Sequence, residues 1–143
     1  MQYIVAVEGV IVKDDQILIT RRGLGEEHLP GILSIPGGKV EGKGNIPSIA
    51  EENLHREILE EVGITVAEKM VYLESKLFPI GEDQVADLVF LCYYQAGEPR
   101  PVDLDEVQEV MWMTYPKIIA SPDIPDFTKQ SIKLAAKYLG WID

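Results

Sequence analysis

Three glutamates, Glu57, Glu60 and Glu61, lie within two turns of a segment with the pattern of an amphipathic helix, LHREILEEVGI. On a helical wheel of about 100° per residue, their side chains fall within roughly 100° of arc. Glu61 falls inside the apolar stripe of the helix, and Glu57 borders it. The stripe is formed by Ala50, Leu54, Ile58 and Val62. Like charges are therefore predicted to crowd at the edge of a buried surface.

Two explanations account for this crowding. A solvated acidic face is the commoner reason for a run of charges, and Arg56 can pair with Glu60 one turn away. Glu57 and Glu61, however, have no basic residue four positions away, and like charges at that spacing are destabilising. A divalent cation removes the repulsion, because Mg²⁺ prefers carboxylate oxygens and water as ligands. The pattern therefore favours a metal site over a surface face.

The segment upstream of this helix, PGGKVEG, contains the glycine pair Gly37 and Gly38. Because glycine carries no side chain, the backbone here can approach a ligand closely. The carbonyl of Gly38 is a candidate to join the carboxylates around a metal, and Mg²⁺ typically also takes phosphate oxygens from a substrate. A plain turn is the alternative explanation for a Gly-Gly pair.

Composition limits the class of ligand. Over 143 residues the formal net charge is −11 and the sequence pI is about 4.6. A long nucleic acid needs a basic surface, so it is excluded as a partner. A small phosphorylated ligand is compatible with the acidic chain, because a divalent cation can bridge carboxylate and phosphate.

The single cysteine, Cys92, lies in the apolar run LVFLCYY and is predicted to be a core residue. One cysteine excludes an intrachain disulfide and indicates a reducing compartment. The run YIVAVEGVIV contains Glu8 and lacks a basic leader, so it predicts a strand and not a signal peptide. No segment approaches the ~20 apolar residues of a membrane span. We expect a cytoplasmic monomer or homodimer with no membrane partner.

The predicted elements are strands at both ends of a central helix. YIVAVEGVIVKDDQILITRR predicts a hairpin that turns at Lys13–Gln16, and GILSI predicts a third strand ended by the breaker Pro36-Gly37-Gly38. A loop follows to about Asn45. VYLESKLF, QVADLVFLCYY and VQEVMWM predict three later strands.

Two helices are predicted. The central one begins with Ser48 and Glu51 in a capping-box pattern and ends at Gly63. The last runs from about Asp126 to Leu139, with its inward residues expected at Phe127, Leu134, Ala135 and Tyr138 and its outward lysines at Lys129, Lys133 and Lys137. These elements predict an α/β fold with a mixed β-sheet between helices, as one domain over residues 1–143.

The central helix also resembles part of a family signature. The Nudix hydrolases share the pattern G-x5-E-x7-R-E-U-x-E-E-x-G-U, in which U is aliphatic, and REILEEVGI (residues 56–64) is similar to its second half without a gap. Gly38 resembles its first glycine in context. ILITRR and EVQEVMWM resemble family strands, so the likeness covers most of the chain and implies an α/β/α sandwich.

The first half of the signature departs from the family pattern. The loop between Gly38 and Arg56 carries four extra residues, and Ser48 stands where the family has its first glutamate. We expect Ser48 to cap the helix, which leaves Glu41 in the loop as a candidate replacement. The departure affects the outer support of a metal site and leaves its core intact.

The resemblance implies hydrolysis, dependent on Mg²⁺ or Mn²⁺, of a small nucleotide in which a nucleoside diphosphate is linked to another group. It implies metal ligation by Glu57, Glu60, Glu61 and the Gly38 carbonyl. Glu57 or Glu60 is expected to orient or deprotonate the attacking water. Arg56 is expected to hold the glutamates in place, and a simple surface pair with Glu60 is the open alternative.

Further site residues are expected around this core. Glu106 lies in the region where many family members carry another acidic residue, and a solvated loop acid beside Asp103 is its alternative role. His28 lies in a loop that could line the entrance. The residues expected to bind substrate are Arg21, Arg22, Gly37 and Phe78.

The substrate is only weakly indicated. Pro79, sixteen residues past Gly63, resembles the pattern of ADP-ribose pyrophosphatases, and Leu33 stands where nucleoside-triphosphate members often carry tryptophan. ADP-ribose or another nucleotide sugar is therefore favoured over a nucleoside triphosphate. Two other functions stay open: a non-catalytic nucleotide sensor on the same fold, and a non-hydrolytic isomerase variant.

Overall fold

The computed structural model describes residues 1–26 and 29–143, which form a mixed sheet with helices on its two faces. The strands are β1 (Tyr3–Lys13), β2 (Gln16–Arg22), β3 (Leu33–Ser34), β4 (Gly37–Lys39), β5 (Thr65–Val66), β6 (Val71–Ile80), β7 (Asp83–Ala96) and β8 (Val107–Thr114). The helices are α1 (Ile49–Val62), α2 (Tyr115–Ala120) and α3 (Asp126–Tyr138).

Strand β1 lies at the centre of the sheet, because its β-branched run presents apolar side chains to both faces. It turns into β2 at the predicted polar hairpin, where Asp14 adopts a left-handed φ of 55°. β7 runs parallel to β1 from the Tyr3–Gln84 pair to the Val12–Tyr93 pair. β8 extends the sheet beyond β2, and β6 extends it beyond β7. The predicted hairpin and the three later strands are all present.

The predicted third strand is shorter than expected, and this is a correction. Only Leu33 and Ser34 of GILSI form β3, whereas Gly37 and Gly38, assigned from the sequence to a chain-breaking turn, lie within β4. β4 pairs with β1, with Gly37 opposite Glu8. This pairing requires glycine, since a Cβ on Gly37 would come within 2.2 Å of the Val7 carbonyl oxygen.

Helix α1 packs its apolar stripe on one face of the sheet, as the spacing predicts. Leu54, Ile58 and Val62 are fully buried against β1 and its neighbours. The helix ends where expected: Gly63 has a left-handed φ of 73°, and its N–H is bonded to the Leu59 carbonyl. The face of α1 that carries the glutamates is thereby fixed relative to the sheet.

The start of α1 differs from the prediction. Ser48 is at the N-cap position but has a left-handed φ of 55°, and its side chain makes no capping hydrogen bond. The predicted capping box is therefore wrong, because a capping side chain needs an extended backbone at that residue. Asn53 fastens this end instead: its amide accepts a hydrogen bond from the Glu41 N–H and donates to the Glu41 and Ile49 carbonyls.

The inward face of α3 also differs from the prediction. Phe127, Leu134 and Tyr138 are exposed, and of the four residues expected inside only Ala135 is buried. The buried residues are Thr128, Ser131, Ile132, Ala135 and Ala136. The sequence assignment followed the large side chains, whereas the helix packs its small and polar residues against the sheet.

Two apolar clusters fill the space on either side of the sheet. One joins α1 to Val7, Ile11 and Cys92; the other joins α2 and α3 to residues such as Val10 and Val89. Cys92 is a core residue as predicted, and burial raises the pKa of its thiol to about 12. The α/β sandwich expected from the sequence is confirmed. Among the described residues, no helix is long and apolar enough to span a membrane.

Candidate active site

The carboxylate of Glu57 lies directly against Gly38. A Cβ placed on Gly38 would be 2.5 Å from Glu57 Cδ and within 2.8 Å of both carboxylate oxygens. This contact exists because α1 packs on β4 and β1, so that the acidic edge of the helix faces the glycine pair. Only a residue without a side chain allows the two groups to approach so closely. The structure thus brings together two of the residues expected to bind metal.

Among the glutamates of α1, Glu61 has the most strongly raised pKa. Burial is the main cause that raises the pKa of Glu61 to about 8, and the charges of Glu57 and Glu106 contribute to the same shift. The Gly37 N–H opposes this shift, because it donates a 3.0 Å hydrogen bond to Glu61 Oε2. The geometry agrees with the position of Glu61 inside the apolar stripe. A carboxylate held there is short of positive partners.

Arg56 contacts both neighbouring glutamates. Its Nη1 lies 3.1 Å from Glu57 Oε1 and 3.1 Å from Glu60 Oε2, and its Nη2 donates to Asn53 Oδ1 at 2.8 Å. The Glu60 side chain is 58% exposed, so that pair alone contributes little stability. Because the Glu57 side chain is only 17% exposed, its pair with Arg56 is the better shielded one. Arg56 therefore links Asn53, which holds the Glu41 backbone, to the acidic face of α1.

Glu106 lies in the exposed turn before β8, and the backbone fixes it there. Its carbonyl accepts a hydrogen bond from the Gly23 N–H, and its own N–H donates to the Asp103 carbonyl. Partial burial raises the pKa of Glu106, as do the charges of Asp103, Glu26 and Glu60. It also contributes to the raised pKa of Glu57 and Glu61. Glu106 therefore shares the field of the helix glutamates and also has the loop neighbour Asp103.

The site carries more negative charge than its basic residues balance. The pKa of Glu57 is raised, mainly by burial, and Arg56 only partly counters this. No three acidic, histidine or cysteine side chains within residues 1–26 and 29–143 already converge as a complete metal cage. An incomplete set suits Mg²⁺, which is usually bound through one or two carboxylates, waters and substrate phosphates. The residues present therefore fit a divalent cation.

The expected substrate-binding residues are more dispersed. Arg21 is engaged by Glu109 and donates to the Gly31 carbonyl. Arg22 pairs with Glu26 at 3.1 Å, and its charge lowers the pKa of Glu61. Phe78 lies on β6 opposite Val85. Of these three side chains, Arg22 acts on the acidic site through the effect of its charge on Glu61.

Two features of this region were not predicted from the sequence: the hydrogen bonds of Asn53 and an acid pair. Asn53 was not singled out, although it is a polar residue directly before the buried Leu54 in the first half of α1. Glu41 is exposed and is held through its backbone. The acid pair is formed by Glu8 and Asp87 and lies on the face of the sheet opposite α1. His28 is outside the described residues.

Comparison with protein-family models gives a match to the NUDIX domain over residues 2–135. The chain belongs to the Nudix family. The enzyme class expected from the sequence, a Nudix-type pyrophosphohydrolase, is confirmed at the level of this family. Nudix hydrolases generally use a divalent metal and act on small nucleotide substrates. No curated protein matches the chain.

Solved structures share the fold of this Nudix domain. A MutT NUDIX hydrolase from Burkholderia pseudomallei is 24% identical with a TM-score of 0.78, covering 94% of this chain and 98% of the other. MutT from Methanosarcina mazei Go1 is 22% identical, with a TM-score of 0.76 and 95% of each chain covered. The NUDIX domain of Shewanella oneidensis NrtR, crystallised with ADP ribose, is 16% identical, with a TM-score of 0.71 and coverages of 94% and 87%.

Proposed function

We propose that this Nudix domain, one unit over residues 1–143, hydrolyses the pyrophosphate linkage of a nucleoside diphosphate joined to another group, using Mg²⁺ or Mn²⁺. The observation that carries the proposal is the contact between Gly38 and the Glu57 carboxylate, one helical turn from the partly buried Glu61. A helix that only needed solubility would not press a carboxylate against a glycine backbone.

The residues proposed to hold the cation are Glu57, Glu60, Glu61 and the Gly38 carbonyl. A bound divalent cation neutralises pyrophosphate charge and makes a water molecule more acidic. The chain's own contribution is to gather these oxygens in a partly buried place, where their mutual repulsion raises the affinity for positive charge.

The proton of the attacking water is proposed to pass to Glu57 or Glu60. Burial raises the pKa of Glu57, which makes it a stronger base than an exposed glutamate. Glu60 is exposed, so its carboxylate is in contact with solvent water. Arg56 holds both carboxylates in position through charge-assisted hydrogen bonds. Glu106 adds to the negative field from the opposite loop.

The favoured substrate is ADP-ribose or another nucleotide sugar. Pro79 and Leu33 support this choice over a nucleoside triphosphate through the family resemblance, and a relative of the same fold has been crystallised with ADP ribose. We propose that Arg21, Arg22, Gly37 and Phe78 contribute to substrate binding. We further propose that the protein is cytoplasmic and is a monomer or a homodimer.

A substrate panel tests the proposal. The protein is incubated with Mg²⁺ and with ADP-ribose, other nucleotide sugars, dinucleotide polyphosphates or dNTPs, and phosphate-containing products are quantified. We expect turnover that requires the cation and rises toward alkaline pH. Full turnover in excess EDTA contradicts metal dependence. Binding without turnover supports the sensor function, and conversion that leaves the pyrophosphate bond intact supports the isomerase.

Glu57→Gln and Glu52→Gln form a matched pair for the same assay. Both replace a carboxylate on α1 with an amide of the same shape, but Glu52 is exposed in the first turn of the helix. We expect Glu57→Gln to lose about a hundredfold or more in kcat, corresponding to a few kcal/mol of transition-state stabilisation, and Glu52→Gln to keep normal activity. Equal activities contradict the proposed site.

A further inference from the structure

Asp87 is a buried acid whose oxygens lack ordinary donors. The residue is 2% exposed on β7, and neither carboxylate oxygen accepts a hydrogen bond from an N–H or hydroxyl group of the described residues. Burying a charged group without partners is costly, so native proteins rarely do it without a reason. The feature lies on the face of the sheet covered by α3, away from the helix that carries the metal-site glutamates.

The nearest compensation comes from another acid, Glu8. Burial raises the pKa of Glu8 well above its usual range, and so do the hydrogen bond to Asp87 and the charge of Asp87. The charges of Lys76 and Arg22 oppose this effect only in part. A hydrogen bond between the two carboxyl groups engages at most one oxygen of Asp87 and leaves acceptor capacity unused.

Lys76 is the basic residue best placed to pair with Asp87, yet it is bonded elsewhere. It lies directly opposite Asp87 in the β6–β7 register. Its Nζ donates to Ser131 Oγ at 2.9 Å and to the Phe127 carbonyl at 3.2 Å, so it fastens α3 to the sheet. Throughout the described part of the chain, no ion pair of Asp87 is found.

The acid pair adjoins the proposed active site through Gly37. Glu8 is opposite Gly37 across β1 and β4, and its Cγ lies 3.0 Å from the position of a Cβ on Gly37. The N–H of the same glycine is bonded to Glu61. The charge of Arg22 acts on both Glu8 and Glu61. Glu8, which retains partial exposure to solvent, therefore lies next to the glycine pair whose other neighbours are the metal-site glutamates.

We propose that Glu8 and Asp87 form a recognition subsite for the non-phosphate part of the substrate, and that the subsite accepts a group with two adjacent hydrogen-bond donors. This inference rests on the proposed function for its location beside the phosphates. Two substrate parts carry such donors. One is the guanine edge, with a ring N–H beside an amino group, and the other is a pair of neighbouring sugar hydroxyls.

The test uses monophosphates, which have no pyrophosphate bond, so binding is measured whether or not the chain hydrolyses anything. Guanosine monophosphate is compared with inosine monophosphate, which lacks the amino group, and ribose 5-phosphate with 2-deoxyribose 5-phosphate. Each is titrated calorimetrically into the full chain with Mg²⁺. The variants are Asp87→Asn and Glu8→Gln, with Glu82→Gln as a control of equal charge change in the exposed β6–β7 turn.

We expect wild type and Glu82→Gln to bind one donor-bearing ligand about tenfold to a hundredfold more tightly than its analogue, the usual range for a hydrogen bond to a charged group. Asp87→Asn should abolish that discrimination and leave the weaker ligand's affinity unchanged. The pair that discriminates identifies base or sugar. If Asp87→Asn does not fold, Glu8→Gln carries the same expectation.

Two results overturn the inference. One is a wild-type protein that discriminates within neither pair. The other is discrimination that survives in both acid variants, and a fall in melting temperature beside it would assign the pair to the fold. Loss of hydrolysis across the substrate panel with discrimination retained would contradict the proposed function alone.

Discussion

The carboxylate of Glu57 occupies the space that a side chain on Gly38 would need, with Glu57 Cδ 2.5 Å from the position of that missing Cβ. Helix α1 and strand β4 can therefore pack this closely because Gly38 has no side chain. We expect Gly38→Ala to push the Glu57 carboxylate away and to lower kcat/KM by about a hundredfold, because a shift of about 1 Å at a catalytic group has that effect.

The matched control for this change is Gly25→Ala, since a Cβ on Gly25 meets nothing closer than 3.4 Å. The folded fraction of both variants is checked by circular dichroism before the rates are compared. Similar kcat/KM values for the two alanine variants would show that the Glu57–Gly38 contact is not needed for turnover.

Glu61→Gln separates a metal site from a structural one. The substitution keeps the shape of the side chain and removes one charge from a crowded, partly buried place, so the melting temperature without metal should be unchanged near pH 5 and higher than that of wild type near pH 8. Loss of a metal ligand should lower kcat by about two orders of magnitude or more. A solvated acidic face instead predicts normal activity, and a structural ion pair predicts clear destabilisation.

The raised pKa of Glu61 sets a pH dependence of stability. Its pKa is 4.5 ordinarily and about 8 in the folded chain, so the folded state binds the extra proton between these values. The free energy of unfolding of the metal-free protein should therefore fall as pH rises from about 5 to 8, by at most about 5 kcal/mol from this group. Urea unfolding at several pH values measures the slope, and Glu61→Gln should reduce it, with Glu8 and Glu57 contributing the remainder through their own raised pKa values. A wild-type slope of the opposite sign contradicts the assignment.

The Asn53 side chain is expected to contribute to the free energy of unfolding. Its side chain joins Glu41, Ile49 and Arg56 through four hydrogen bonds, and it is 4% exposed. We expect Asn53→Ala to lower the free energy of unfolding by about 2 to 3 kcal/mol, because buried backbone groups lose their partners. Asn45→Ala, in the exposed loop, is the control and should change it by less than about 0.5 kcal/mol.

The loop of residues 42–47 should be dispensable for folding. All six residues are exposed. The Asn53 side chain holds the backbone at Glu41, before the loop begins. Deleting four of them should leave the thermal transition cooperative and change KM or substrate choice, since Ile46 and Pro47 line a groove with Arg56. Failure of this variant to fold would place the extra residues in the structural core.

Local patterns predicted the parts of the fold that depend on neighbouring residues. The i, i+4 spacing of Leu54, Ile58 and Val62 predicted both the existence of α1 and its buried face, and Gly63 predicted its end. Ser48 was misassigned because capping depends on the local φ, which is set by the way the longer loop enters the helix. The buried face of α3 depends on which side chains the sheet accommodates, and the large residues Phe127 and Tyr138 stayed outside.

The acid pair was missed, although the sequence carried a signal for it. In VADLVF, Asp87 shares the alternating phase of Val85 and Val89, both of which are buried, so a buried carboxylate follows from strand periodicity alone. Its partner Glu8 was noted only as evidence against a signal peptide. The contact between them depends on the parallel pairing of β1 and β7, which spans about eighty residues and has no local signature.

That same pairing determines when the chain can acquire its fold. Ten consecutive residue pairs join β1 to β7, from Tyr3–Gln84 to Val12–Tyr93, so the ladder with the most residue pairs in the sheet waits for a segment synthesised much later. Pairings of such wide separation form slowly, since the loop between them must first be closed. During synthesis, β1 therefore emerges with the backbone N–H and C=O groups of one edge unpaired until β7 has left the ribosome. Because an unpaired strand edge can pair with another chain, the nascent protein is open to aggregation in that interval.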